Sequence, residues 1–446
     1  MHDEQGYTAV QRWFVAASAM LGFGLDFYNL VVIAFLLQVI QASLHMGLPE
    51  AGTIIASTLA ASVVGGVAVG WLGDRIGRKN ALMVTLLLLA AGALLSALAW
   101  NFNSLLAFRV IAGIGVGGEW GAGIVLFNEV WTPKQRGVGS ALVQAMAAAG
   151  TALAAIISAW ALGNFLPDTA WRVAMAIGAL PLVLMLVVRI WMPESRLWEE
   201  YDRRRRAGDL PAEKLNERSP IIEMLRGVSA RYFVLATLVS AGYFFAYQAI
   251  TSFMPTLMIR TLGATPPVVR DASLLWSVAL AVGMMGTGWI SDHFGRKASV
   301  LSATILGVIG FGAIWLTGGM HYEGSVLSWP LFWAYCLWGM AQGSGGQFGP
   351  WWSELYPTEL RASAASSIYT TGRLISASAP YLVPLFVPLM GGSLLAAMML
   401  GLAGSVVGLV CTLALPETAG RRFAVVEGRA HDHDATDETS AARLSD

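Results

Sequence analysis

The sequence predicts an all-α membrane protein, with twelve transmembrane helices in two six-helix, pseudo-symmetric bundles. Three observations carry that expectation. Hydrophobic residues make up 56% of the 446 residues and charged residues only 13%, against roughly 25% charge in soluble domains. Twelve apolar runs reach the roughly 20 residues that a spanning helix needs. A ten-residue motif occurs twice, at matching places in the two halves.

The first six runs lie near residues 14–40, 51–72, 81–100, 104–130, 138–162 and 171–192. The second six lie near 232–259, 272–291, 298–318, 329–353, 363–388 and 392–415. The expected domains are therefore an N-terminal bundle over 1–192, a central loop over 193–231, a C-terminal bundle over 232–415 and a polar, disordered tail over 416–446. The central loop carries Arg203, Arg204, Arg205 and Arg206 among several acids and reads as solvated. Basic residues fix the orientation, because loops rich in Lys and Arg stay in the cytoplasm. With the N-terminus inside, the short inner loops hold nine basic residues against three outside, Arg172, Arg260 and Arg270. Both termini and the central loop are expected in the cytoplasm. The polar start, followed by a first apolar run too long for a signal sequence, predicts no cleaved leader. Zero net charge gives no reason to expect nucleic acid. Cys336 and Cys411 both lie in apolar runs and suggest no disulfide framework.

The repeat is specific. Gly70-Trp71-Leu72-Gly73-Asp74-Arg75-Ile76-Gly77-Arg78-Lys79 follows the second run, and Gly288-Trp289-Ile290-Ser291-Asp292-His293-Phe294-Gly295-Arg296-Lys297 follows the eighth. Glu129 ends the fourth run with Arg136 seven residues on, and Glu354 ends the tenth with Arg361 seven residues on. Matched motifs in two halves are the mark of an internally duplicated transporter with its site between the repeats.

These motifs resemble those of the major facilitator superfamily. The G-x-L-x-D-x-x-G-R-K loop is similar to that family's signature after its second helix, and Arg109 with Gly113, Gly115 and Gly117 is similar to its R-x-x-x-G-x-G motif. Pro193-Glu194-Ser195 and Pro416-Glu417-Thr418 resemble the P-E-S and P-E-T segments of sugar-porter-like members. Gly117-Gly118-Glu119-Trp120-Gly121-Ala122-Gly123 resembles lactate- and sialate-type proton symporters and the related metabolite:proton group. The resemblance implies alternating access, a functional monomer, and residence in a bacterial inner (plasma) membrane. It also implies that Asp74, Arg78, Glu129, Arg136, Asp292, Arg296, Glu354 and Arg361 form inner-face charge clusters that gate the two bundles.

Charges inside a membrane are expensive and are functional candidates by default. Asp26, Arg109 and Glu119 are candidates for proton coupling. Asp26 and Asn29 are three apart and share a helix face. The stretch from Asp26 through Tyr28 to Asn29 resembles D-x-Y-D segments of phosphate and organic-acid transporters, with Asn29 in place of the second acid. Arg109 and Glu119 are ten residues apart, about 15 Å along a helix, so they cannot pair directly. Arg373 stands deep in the eleventh run, where the first half has Ala148. A guanidinium there needs an anion or several acceptors, and a carboxylate offers two oxygens in matching geometry. Tyr369 lies one turn before Arg373, and Gln144 is its counterpart in the fifth run. Tyr28, Asn29, Tyr243, Tyr247, Gln248 and Gln347 complete the candidate substrate set. Gln347 stands near the place that Glu119 holds in the first half. Trp100, Trp131, Trp171, Trp191 and Trp329 read as interface anchors.

No phosphate-binding loop, nucleophile–base pair or metal-ligand cluster stands out, so neither an ATP-driven pump nor an enzyme is expected, and no cofactor or metal. The expected function is proton-coupled symport of a small, monocarboxylate-like organic anion, with protons, the substrate and the bilayer as partners. Transport of a sugar or another neutral metabolite is the alternative. Phosphate transport, drug efflux and a transporter-like sensor rank below it.

Overall fold

The computed structural model describes residues 7–130, 136–207, 227–356 and 361–418. The tail beyond Thr418, most of the central loop, and the side chains of Asp74, Glu129, Trp131, Arg136 and Arg361 lie outside the described set.

The first half comprises α1 (Ala9–Leu44), α2 (Leu48–Ile76), α3 (Arg78–Ala97), α4 (Phe102–Val130), α5 (Arg136–Asn164), and a sixth span in two pieces, α6 (Pro167–Ile177) and α7 (Pro181–Trp191). A polar helix, α8 (Arg196–Ala207), follows within the central loop. The second half runs through α9 (Gly227–Thr251), α10 (Pro266–Phe294), α11 (Arg296–Thr317), α12 (Pro330–Ala341), α13 (Phe348–Glu354), α14 (Arg361–Ser376), α15 (Ser378–Phe386), α16 (Leu394–Met398) and α17 (Leu400–Ala414). Every predicted span falls on these helices, the seventh continuing past α9 through two short helical segments, Met254–Thr256 and Leu257–Thr261.

Local chemistry sets several ends. Thr8 caps α1 by accepting from the Gln11 N–H at 3.2 Å, while the Thr8 N–H donates back to Gln11 Oε1 at 2.9 Å, a reciprocal capping box. Gly77 and Gly295 turn the chain between α2 and α3 and between α10 and α11 with φ of +98° and +99°, a conformation open to glycine and costly for other residues.

Among the described residues, nine helical stretches are long and apolar enough to cross a membrane. The spans outside that set have physical reasons to be. The fourth contains residues whose side chains are not described. The tenth is broken by a tight six-residue turn, Gln342–Gln347, between α12 and α13. The eleventh is broken at Ala377, between α14 and α15. Broken helices survive in a bilayer only where the freed carbonyls find donors. Here Tyr243 Oη donates to the Gln342 carbonyl at 2.7 Å and Thr287 Oγ1 to the Gly343 carbonyl at 3.0 Å.

Small residues bring the first-half helices together. A side chain at Gly117 would run into the Ser62 carbonyl of α2, and one at Gly115 into the Leu89 backbone of α3. Such small-residue seams are how membrane helices gain close van der Waals packing. Two expected interface anchors are corrected. Trp171 and Trp329 are buried, and their indole N–H groups donate to Ser43 Oγ at 3.1 Å and to the Met320 carbonyl at 2.9 Å. Trp100 and Trp191 are exposed, as an anchor requires.

The two halves meet through α5 against α10 and α2 against α14 and α15. At the end opposite the Gly77 and Gly295 turns, Gly52 lies directly on the Pro380 carbonyl and the Pro384 ring. There Gln38 Nε2 also donates to the Thr256 carbonyl at 3.2 Å.

Candidate substrate cavity and carboxyl pair

A cavity lies between the halves. The first half contributes Phe23, Phe27, Arg109 and Gln144; the second contributes Tyr243, Phe244, Tyr247, Gln248, Tyr369 and Arg373. None of its described lining residues is acidic. Six of the predicted substrate residues therefore converge here, Arg373, Tyr369, Gln144, Tyr243, Tyr247 and Gln248, together with Arg109 from the predicted proton-coupling set. The spacing argument for α9 holds, since residues four apart on one helix present a common face.

The Arg373 guanidinium has no carboxylate within 4 Å among the described residues, which removes a standing salt bridge with Asp26. Gln248 Oε1 accepts from Ser252 Oγ at 3.1 Å. Arg109, fully buried, donates from Nη2 to the Asn29 carbonyl of α1, and its Nη1 lies 3.9 Å from the Met175 sulfur. Its Nε has no hydrogen-bond partner among the described residues. It packs behind the cavity wall and holds α1.

Three predicted substrate residues are corrected. Tyr28 donates to the Ala174 carbonyl at 2.6 Å, and Asn29 Nδ2 donates to the carbonyls of Gly178 at 2.9 Å and Leu25 at 3.0 Å. Both side chains tie α1 to the two-piece sixth span, away from the cavity. The reason is helical rotation: Phe23, Phe27 and Leu30 form the cavity-facing stripe, and at 3.6 residues per turn Tyr28 and Asn29 point elsewhere. Gln347 is buried beside Gly288 of α10 and does not line the cavity.

Next to the cavity, Asp26 of α1 and Glu119 of α4 are both buried and close enough to act on each other electrostatically. Glycines make the room: a Cβ at Gly22 would stand 2.5 Å from Glu119 Oε1, and one at Gly123 2.6 Å from it. Arg373 is near enough to act electrostatically on Asp26. The predicted separation of Arg109 from Glu119 holds, for no contact joins them.

Of the predicted charge clusters, the described members bind within the second half. Arg296 reaches Glu354 at 3.1 Å, Ser291 Oγ at 2.7 Å and Asp292 at 3.4 Å. These contacts lie within one bundle, since α10, α11 and α13 all belong to the second half. Glu354 also accepts from Thr418 Oγ1 at 2.6 Å.

Sequence reasoning missed the role of two glutamates. Glu417 accepts from the main-chain N–H groups of Arg296 and Lys297 at 2.9 and 3.0 Å. In the first half Glu194 accepts from Lys79 N–H at 3.1 Å and Ser195 N–H at 2.9 Å. Each carboxylate caps the start of a helix, α11 or α3, where free N–H groups and the helix dipole favour negative charge. Burial holds the Glu194 carboxyl above its ordinary pKa, outweighing those N–H donors. The recurrence of Pro-Glu-Ser/Thr after each sixth helix was the available signal. The aromatic residues Phe23, Phe27 and Phe244 were also missed, although the four-residue spacing of the first two was visible.

The model of the Major Facilitator Superfamily matches residues 13–380. The chain belongs to this family. Members are transporters, and this chain is a multi-pass membrane transporter rather than an enzyme. It is 24% identical over 420 residues to the cis,cis-muconate transport protein of Acinetobacter baylyi, covering 93% of this chain and 97% of that one. It is 26% identical over 385 residues to a niacin transporter of the same organism, covering 81% and 84%. The inward-open xylose transporter of E. coli superposes with a TM-score of 0.72 at 18% identity, over 94% of this chain and 99% of that one, which establishes the twelve-helix fold.

Proposed function

We propose that this facilitator is a proton-coupled symporter of a small organic anion, with a carboxylate held by Arg373. The observation that carries the reading is the cavity's charge: the Arg373 guanidinium lines it, Arg109 is buried behind its wall, and none of its described lining residues is acidic. Coulomb attraction is strong in such a low-dielectric space, so a cavity of this kind favours an anion over a neutral sugar. The transport of muconate and niacin, both carboxylates, by the relatives named above supports the same class.

Protons enter through the Asp26–Glu119 pair. It sits one helix layer from the anion site, so its protonation and the occupancy of Arg373 affect each other electrostatically. The end bearing the Gly77 and Gly295 turns faces the cytoplasm, and a proton gradient directed inward drives uptake. The charge clusters around Arg78 and Arg296, with Asp74, Glu129, Arg136 and Arg361, govern opening at that end.

Uptake into proteoliposomes tests this, with empty liposomes as the reference for passive entry. An organic acid should accumulate with an acid exterior and cease to do so when an uncoupler is added. Accumulation indifferent to both would remove proton coupling, and preference for a neutral sugar would favour the alternative substrate class.

A further inference from the structure

We infer that the anion carried here is a planar, ring-bearing carboxylate, an aromatic acid, with its carboxylate on Arg373 and its ring against Tyr369 and Phe244. This deepens the proposed function and rests on its carboxylate assignment.

The cavity is walled by rings from both halves: Phe23 and Phe27 on one side, and Tyr243, Phe244, Tyr247 and Tyr369 on the other. The second-half wall is rigid. Phe244 meets Tyr369 edge-to-face with centroids 4.9 Å apart, and Tyr243 packs on Phe348 at 4.9 Å. Behind Tyr247, the rings of Trp276, Tyr335 and Trp338 stack with interplanar angles of 12°, 20° and 8°. A preordered surface loses little entropy when a flat ligand lies on it.

These rings offer faces and edges more than hydroxyl groups. The Tyr243 hydroxyl is already committed to the Gln342 carbonyl, and the Phe residues have none. A polyhydroxylated solute would find only the Gln144 and Gln248 amides and a few hydroxyls. A flat π-system instead finds partners in offset or edge-on geometry. The charge is correctly placed for it. Tyr369 and Arg373 are four residues apart on α14, so their Cβ atoms lie about 5–6 Å from each other. That matches an aryl carboxylate, whose acid group and ring are joined by one bond.

The test is direct binding of benzoate, cyclohexanecarboxylate and benzamide to purified wild-type protein, with Phe244→Leu and Tyr369→Leu alongside. Benzoate and cyclohexanecarboxylate share charge and heavy-atom count and differ in the π face. Benzoate should bind about 3- to 10-fold more tightly than cyclohexanecarboxylate, and that ratio should fall toward one in both leucine variants. Equal binding of the two acids to wild type overturns the aromatic assignment and leaves the carboxylate reading standing. Benzamide binding as well as benzoate, or neither acid binding, overturns the carboxylate reading itself. The wild-type comparison decides even if a variant does not fold.

Discussion

The Asp26 and Glu119 carboxyl groups meet across the contact between α1 and α4, in space left by the missing side chains of Gly22 and Gly123. Two buried carboxyl groups side by side are a natural place to hold a proton. Asp26→Asn and Glu119→Gln should each abolish accumulation driven by a proton gradient while sparing exchange of labelled for unlabelled substrate without one. Gly22→Ala should do the same by pushing against Glu119 Oε1. Retained accumulation in both carboxyl variants would separate this pair from coupling.

In the second-half cluster, Glu354 should matter more than Asp292. Its carboxylate accepts from Arg296 and Thr418 and is four-fifths buried, whereas the Asp292 side chain is 75% exposed and 3.4 Å from Arg296. Exposed pairs contribute about 0–1 kcal/mol, and charge-assisted hydrogen bonds about 1.5–3 kcal/mol. Glu354→Gln should therefore slow transport several-fold more than Asp292→Asn, with little change in substrate affinity for either. Equal effects in transport assays would show that the exposed acid has a role this geometry does not give it.

The Glu194 cap predicts a pH-dependent stability. Its folded-state pKa is raised, so its contribution is fully present below the unfolded value of about 4.3 and is lost as pH rises through the folded one. Glu194→Gln cannot titrate. Thermal unfolding of the two proteins across pH should show wild type losing ground to Glu194→Gln as pH increases. A wild-type advantage that grows with pH would mean that the N–H donors outweigh burial.

At the opposite end, Gly52 lies on the Pro380 carbonyl and Pro384. A bulky residue there cannot fit the present packing. Gly52→Phe should shift the protein toward a conformation open at that end, which increases thiol labelling of a cysteine placed in the α1 cavity stripe. Unchanged labelling would show that the α2–α15 contact does not report the state.

Much of the fold was legible because membrane spans announce themselves by length and apolarity, and because the Gly77 and Gly295 loops repeat. Arg373, Tyr369, Tyr243 and Tyr247 were legible for the same kind of reason, a charge where none is tolerated and a four-residue face. Tyr28 and Asn29 were misplaced because proximity to Asp26 in sequence says little about direction around a helix. Gln347 was misplaced because the tight turn that ends at it redirects the chain, which sequence alone does not reveal. The Glu194 and Glu417 caps depend on segments more than 100 residues apart coming together, so only the structure could pair them with Lys79 and Lys297.

The central claim is that Arg373 holds a carboxylate, and two ligands against two proteins test it most directly. Binding of benzoate and benzamide is measured by calorimetry on wild type and Arg373→Ala. The account predicts that benzoate loses on the order of 10- to 150-fold in affinity on substitution, as one charge-assisted hydrogen bond of about 1.5–3 kcal/mol is removed. Benzamide, weak from the start, should change little, so the gap between the ligands narrows. Equal losses for the acid and the amide would contradict the account and make Arg373 a structural residue.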